Sequence, residues 1–224
     1  MCVIIYKGVG KRIVNQESIL NAYETNPHWF WLALKRGGEL YREKGLLDDT
    51  QILALCDSIQ EDDEALLHFR FKTHWLTNLE NCHPFVLGDN DWVLMHNGIF
   101  SIKDDPLGEM SDTALFVKKY NTKLLTMNKK DIENLKEVWS SKIAIMQPWG
   151  ISTKLIGSWF DWGECKVSNT YSLEAYEPIY SENVRIVGET PFLLMDSWKY
   201  IDTHWYFHTA EELDSYDQRE QYNA

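Results

Sequence analysis

Met1-Cys2-Val3-Ile4-Ile5-Tyr6-Lys7-Gly8 opens the chain. Its apolar run, Cys2 to Tyr6, is short and is closed by Lys7-Gly8, so it reads as a buried strand that starts at the amino terminus itself. Working outward, Glu17 to Tyr23 has a helical pattern. Trp29 to Leu34 and Glu39 to Arg42 resemble two strands joined by a turn at Arg36-Gly37-Gly38. Asp49 to Ser58 places Ile52, Leu53 and Leu55 at helical spacing, with Asp48 or Asp49 as N-cap.

Ala65 to Phe71, Phe85 to Leu87 and Asp91 to Met95 read as strands, the last ending in a polar turn, His96-Asn97-Gly98. Ser111-Asp112-Thr113 opens a helix that reaches Tyr120, with Ser111 as N-cap, and Asp131 to Ser140 reads as another helix. From Lys142 to about Tyr206, short β-like runs alternate with turns at Pro148-Trp149-Gly150, Asp161-Trp162-Gly163 and Ser168-Asn169. Helices grouped between many strands predict a layered α/β sandwich rather than a doubly wound parallel sheet.

The composition narrows the function classes. At 224 residues the chain is expected to form a single domain over 1–224, with a polar, acidic tail from about 210 to 224. The 34 acidic residues outnumber the 22 basic ones, giving a net charge of −12, which argues against nucleic-acid binding because phosphate contacts need a basic face. No apolar run approaches the roughly 20 residues that span a bilayer, so no membrane partner is expected. The amino terminus lacks the basic segment of a secretory signal. Four scattered cysteines (Cys2, Cys56, Cys82, Cys165) without a CxxC pair suit reduced thiols, and a cytoplasmic setting is expected. The spacing of His68, His74, His83 and His96 fits no common metal-ligand set, so no metal or cofactor is expected and these residues read as hydrogen-bonders on strands. Gly8-Val9-Gly10-Lys11-Arg12 lacks the ending of a phosphate loop and reads as a turn.

Four short motifs lie in order along the first half: Cys2, His68-Phe69-Arg70, Met95-His96-Asn97-Gly98 and Ser111-Asp112-Thr113. Asn81-Cys82-His83-Pro84-Phe85 sits between the second and third. Together they resemble the glutaminase domain of class II glutamine amidotransferases, whose pattern is a cysteine after Met, HxR, N-x-HPF, HNG and SDT. The resemblance covers residues 2 to 120 well. It runs more loosely to Tyr171, through a Ser-Asn-x-x-Tyr-like element at Ser168, Asn169 and Tyr171. It implies the four-layer αββα sandwich of N-terminal-nucleophile hydrolases, an α+β fold with two antiparallel sheets.

The chemistry needs a nucleophile and a base, and an N-terminal cysteine supplies both once Met1 is removed, because its free α-amine titrates near 8. The resemblance assigns the oxyanion donors to the Asn97 side chain and the Gly98 N–H. L-Glutamine presents an α-carboxylate, which suits the planar fork of Arg70. Its α-ammonium falls to Asp112 by the resemblance, and His96 counts among the substrate-binding residues. Trp75 stands where many members have glycine, so it is expected to reshape the pocket. Family enzymes usually carry a second domain that consumes the ammonia, and a chain of this length is expected to serve a separate synthase or transferase. Two rivals stand beside this reading: the same nucleophile acting on another γ-glutamyl or amide bond, and a degenerate domain kept for binding.

Overall fold

A computed structural model describes residues 2–71, 81, 83–88, 92–102, 110–126, 128–135, 138, 141–148 and 152–173. All of them fall within one compact unit bounded by Met1–Tyr176. The strands are β1 (Val3–Lys7), β2 (Trp29–Arg36), β3 (Glu39–Leu46), β4 (Glu64–Arg70), β5 (Phe85–Leu87), β6 (Trp92–Asn97), β7 (Lys142–Met146), β8 (Lys154–Ile156), β9 (Phe160–Trp162) and β10 (Cys165–Val167). The helices are α1 (Gln16–Thr25), α2 (Asp49–Asp57), α3 (Asp112–Leu124) and α4 (Lys129–Glu133). A six-stranded sheet runs β3-β2-β4-β1-β10-β9 and a four-stranded sheet runs β5-β6-β7-β8. Every pairing recorded is antiparallel, as an α+β fold requires.

Side-chain alternation along the strands sorts the core into three apolar clusters. Val3 and Ile5 of β1, Phe30 and Leu32 of β2, and Leu67 and Phe69 of β4 pack with Ile19 of α1 and Ile52 of α2. The intervening residues Ile4, Ala33 and Leu66 meet Val93 and Met95 of β6 and Ala144 and Met146 of β7, joining the two sheets. Leu94, Ile143 and Ile145 face the other way, onto Phe116 of α3 and Ile132 of α4. Strand β1 is buried on both faces, which is why its sequence is a continuous apolar run instead of an alternating one. Each such side chain, fully buried, contributes about 1.5–3 kcal/mol.

Local chemistry accounts for the boundaries. Asn15, Asp48 and Ser111 cap α1, α2 and α3 by accepting from the third residue beyond. Gly37 and Gly38, both at positive φ, turn β2 into β3. At the carboxyl end of β1, the buried Lys7 ammonium donates to the carbonyls of Gln60, Glu61 and Asp63 at 2.5, 2.6 and 2.6 Å, matching its three donors with three acceptors. There, too, Glu64 accepts from Tyr6 Oη (2.8 Å) and Thr153 N (2.9 Å) and pairs with Lys35. That end of the strands is thus tied down by polar contacts, and the other end holds the site.

Three expectations are corrected. Strand β6 does not stop at Met95 but continues through His96 and Asn97, which pair with Ile143 and Lys142. The helix expected over 131–140 is α4, Lys129–Glu133. Asn128 starts it, and i→i−3 bonds from Leu135 to Ile132 and from Val138 to Leu135 tighten the chain out of it. Asp161 and Trp162 belong to β9, with the turn at Gly163, whose φ is +59°. Helix α3 also runs about one turn beyond Tyr120. The tail from 210 and Trp75 lie outside the described residues.

Candidate active site

Strand parity gathers the site. Cys2 precedes β1 on the face of Ile4, the face that looks toward the second sheet. Because Val3 pairs with Phe69, Cys2 comes level with the end of β4. Its Sγ lies 3.4 Å from the Phe71 N–H, which donates to it, and 3.6 Å from the Phe71 carbonyl. The residue keeps some exposed surface, yet its sulfur sits deep enough that burial pushes the thiol pKa up. The Phe71 N–H and the Arg70 charge pull in the opposite direction.

Two side-chain amides hold the Cys2 carbonyl. Asn97, at the end of β6, donates to it at 2.7 Å, and Asn169, just past β10, donates at 2.8 Å. Asn97 Nδ2 also donates to Ser168 Oγ (2.8 Å), so both of its N–H groups are engaged. Ser168 in turn accepts from Ile4 N at 2.8 Å and donates its own N–H to the Ile4 carbonyl at 2.9 Å. The start of the chain is therefore fixed by residues 95 and more positions away. Sequence reasoning picked out Ser168-Asn169 but assigned it no task; a Ser-Asn pair directly after a strand was the available signal.

Gly98 follows Asn97 with φ +142°, and a Cβ there would meet Ser141 Oγ at 3.0 Å, His96 Nε2 at 3.1 Å and the Ser141 Cα at 3.1 Å. Gly98→Ala is expected to lower unfolding free energy by about 1–3 kcal/mol, read from urea titration; an unchanged midpoint would mean that the turn tolerates a side chain. His96 lies on the opposite face of β6 from Asn97, stacked on Phe100 at 3.8 Å. Its Nδ1 bonds Thr113 Oγ1 (2.9 Å) and its Nε2 bonds Ser141 Oγ (3.2 Å). It props the turn from beneath. Asp112 begins α3 and accepts from Thr113 N (2.8 Å) and Phe100 N (2.6 Å), tying the segment after Gly98 to the helix, and burial raises its pKa. Asn81 accepts from Ser111 N at 2.6 Å, anchoring the same helix start.

Arg70 ends β4, nine-tenths buried, with its guanidinium 6.0 Å from the Trp29 ring centre and 5.8 Å from that of Trp31. Behind it, His68 stacks on Trp31 (5.0 Å) and meets His83 at a tilt (4.3 Å, 37°). The His68 and His83 rings fill an aromatic cluster between the sheets, His96 bonds Thr113 and Ser141 as expected, and His74 lies outside the described residues. Among the described residues no group of three or more potential ligands could hold a metal. No described helix is long and apolar enough to cross a membrane.

Burial lowers the pKa of His68, His83 and His96, that of His96 to about 3 with help from Lys142. The unfolded chain takes up these protons near pH 6.5 while the folded one refuses them. Their contribution to stability is full above about pH 6.5 and is lost on acidification, at up to about 1.4 kcal/mol per pH unit for each histidine. Urea midpoints are expected to fall between pH 7 and pH 5, with a shallower slope in His68→Phe; an identical slope in that variant would contradict this assignment.

No family model matches the chain. Over 90 residues, 40% of this chain, it is 27% identical to the glutamine–fructose-6-phosphate aminotransferases (isomerizing) of two Staphylococcus epidermidis strains. The match spans 15% of the length of those relatives. A solved glutamine phosphoribosylpyrophosphate amidotransferase from B. subtilis, complexed with ADP and GMP, aligns with a TM-score of 0.49 and 18% identity over 77% of this chain and 42% of that one. Cys2, Asn97, Ser168 and Asn169 form one hydrogen-bonded set. Arg70 enters from β4 beside Cys2, and Asp112 enters from α3 through Phe100, two residues past Gly98.

Proposed function

We propose that this chain is a class II glutamine amidotransferase domain that hydrolyses the side-chain amide of L-glutamine through a Cys2 thioester, giving glutamate and ammonia. The observation that carries the reading is the double clamp on the Cys2 carbonyl by Asn97 and Asn169, which fixes the backbone of the second residue while leaving its thiol beside a donor N–H. A buried small hydrophobe needs no such clamp; a nucleophile whose own amine must reach its sulfur does.

With Met1 removed, the Cys2 amine accepts the thiol proton, directly or through water, and the thiolate attacks the amide carbon. The oxyanion is received by the Gly98 N–H and by Asn97, one of whose N–H groups leaves the Cys2 carbonyl while Asn169 retains it. The C–N bond breaks as the cysteine ammonium returns its proton to the leaving nitrogen, and ammonia departs. Water then attacks the thioester, and the thiol and glutamate are released. Arg70 pairs with the α-carboxylate and Asp112 with the α-ammonium, and neutral His96 supports the oxyanion turn. The raised pKa of Asp112 makes substrate binding weaken on the acid side, since only its ionised form attracts the ammonium.

The proposal extends to architecture and setting. The three apolar clusters, one on each outer face of the sheet pair and one between, support the four-layer αββα arrangement. The domain acts as one glutaminase unit in a reducing, cytoplasmic setting and delivers ammonia to a separate synthase or transferase. The experiment is glutamate release from L-glutamine by Met1-processed protein, followed in a coupled assay. Steady release supports the reading. Folded, processed protein that releases none would overturn it.

A further inference from the structure

The aromatic column behind Arg70 has no place in the chemistry above, and it is the feature of the molecule with the most unexplained geometry. Trp29 and Trp31 sit two residues apart on β2, on the face turned toward the second sheet, and cross-strand pairing sets Trp29 opposite Arg70 and Trp31 opposite His68. The two indoles meet edge to face, 6.0 Å apart with planes at 76°, and the guanidinium lies over both rings. Trp31 is fully buried, and its ring is backed by His68, which is backed by His83, whose far side meets Phe85 edge-on. Every member of this column except Arg70 is uncharged, since burial keeps both imidazoles neutral.

We propose that Trp31 and Trp29 are positioning residues for Arg70: two indole faces fix the plane of its guanidinium so that its fork is presented to the α-carboxylate of the substrate, making free-carboxylate specificity a property of β2. This rests on the glutaminase reading and deepens it. Arg70 is nine-tenths buried as a residue, so its side chain has given up much of its water. The ring quadrupoles replace part of that hydration and set the plane in which the guanidinium lies. The neutral imidazoles behind Trp31 serve as packing that keeps the indole from rotating.

The test compares L-glutamine with its α-methyl ester, which has no carboxylate, by ammonia release. In wild-type protein kcat/KM favours the free acid. Trp31→Leu and Trp29→Leu each reduce that preference about tenfold through the KM for glutamine, with kcat and the rate on the ester little changed. Trp31→Phe, which keeps a ring face, restores most of it. Trp29 is only half-buried, so Trp29→Leu decides the matter if the Trp31 variant fails to fold. A preference unchanged in the folded leucine variants overturns the proposal while leaving the glutaminase intact. Equal losses on both substrates overturn it as well, by showing a general structural effect. Wild-type protein without activity on glutamine overturns the glutaminase reading, and this proposal with it.

Discussion

Cys2→Ala is expected to abolish glutamine hydrolysis, with turnover falling on the order of 10⁴-fold or more, the scale seen when a covalent nucleophile is deleted. The same substitution is expected to leave the fold close to its original stability. The clamp from Asn97 and Asn169 grips the backbone carbonyl, which alanine keeps, and among the described residues the thiol makes only long contacts, to Phe71. Activity and stability are therefore separable at this position. Glutamate release and a urea titration, run on the same preparation, check both halves. A folded alanine variant with wild-type release would remove Cys2 from the chemistry.

Asn97→Ala is expected to lower turnover about 10²–10³-fold, the effect of deleting one oxyanion donor. It also strips Ser168 Oγ and the Cys2 carbonyl of a partner in a buried setting, at about 1–3 kcal/mol of stability. Asn169→Ala separates the two contributions. It removes the second hold on the Cys2 carbonyl but no proposed oxyanion donor, so its loss of turnover is expected to be smaller than that of Asn97→Ala. Equal losses in the two variants would mean that both asparagines act only as clamps, leaving the oxyanion to Gly98 alone.

Much of the frame was legible because local chemistry and tertiary role agree. The Val3-Ile4-Ile5 run is buried on both faces, Gly37-Gly38 takes the positive φ that its turn demands, and Ser111 caps the helix it precedes. Legibility failed where distant contacts decide. His96 and Asn97 are polar and read as a turn, yet pairing to β7 and hydrogen bonds to Thr113, Ser141 and Ser168 keep them in a buried strand end. The Trp29-Phe30-Trp31 alternation announces a strand but says nothing of Arg70, which meets it only through strand register. The same holds for Ser168 and Asn169: their work depends on reaching Ile4 and Cys2 from the far end of the described chain. The ordered motifs pointed to Cys2, Arg70, Asn97 and Asp112; that His96, Ser168 and Asn169 hold them in place depends on contacts distant in sequence.

Covalent capture tests the central claim most directly. Met1-processed protein is incubated with a glutamine analogue bearing a diazoketone in place of the carboxamide, and the adduct is located by intact-mass and peptide mass spectrometry. Attack by the Cys2 thiolate expels dinitrogen and leaves a stable thioether, so one equivalent of label confined to Cys2, and slower labelling in Arg70→Ala, is the predicted result. No adduct on folded, processed protein, or label at another cysteine, would contradict the account.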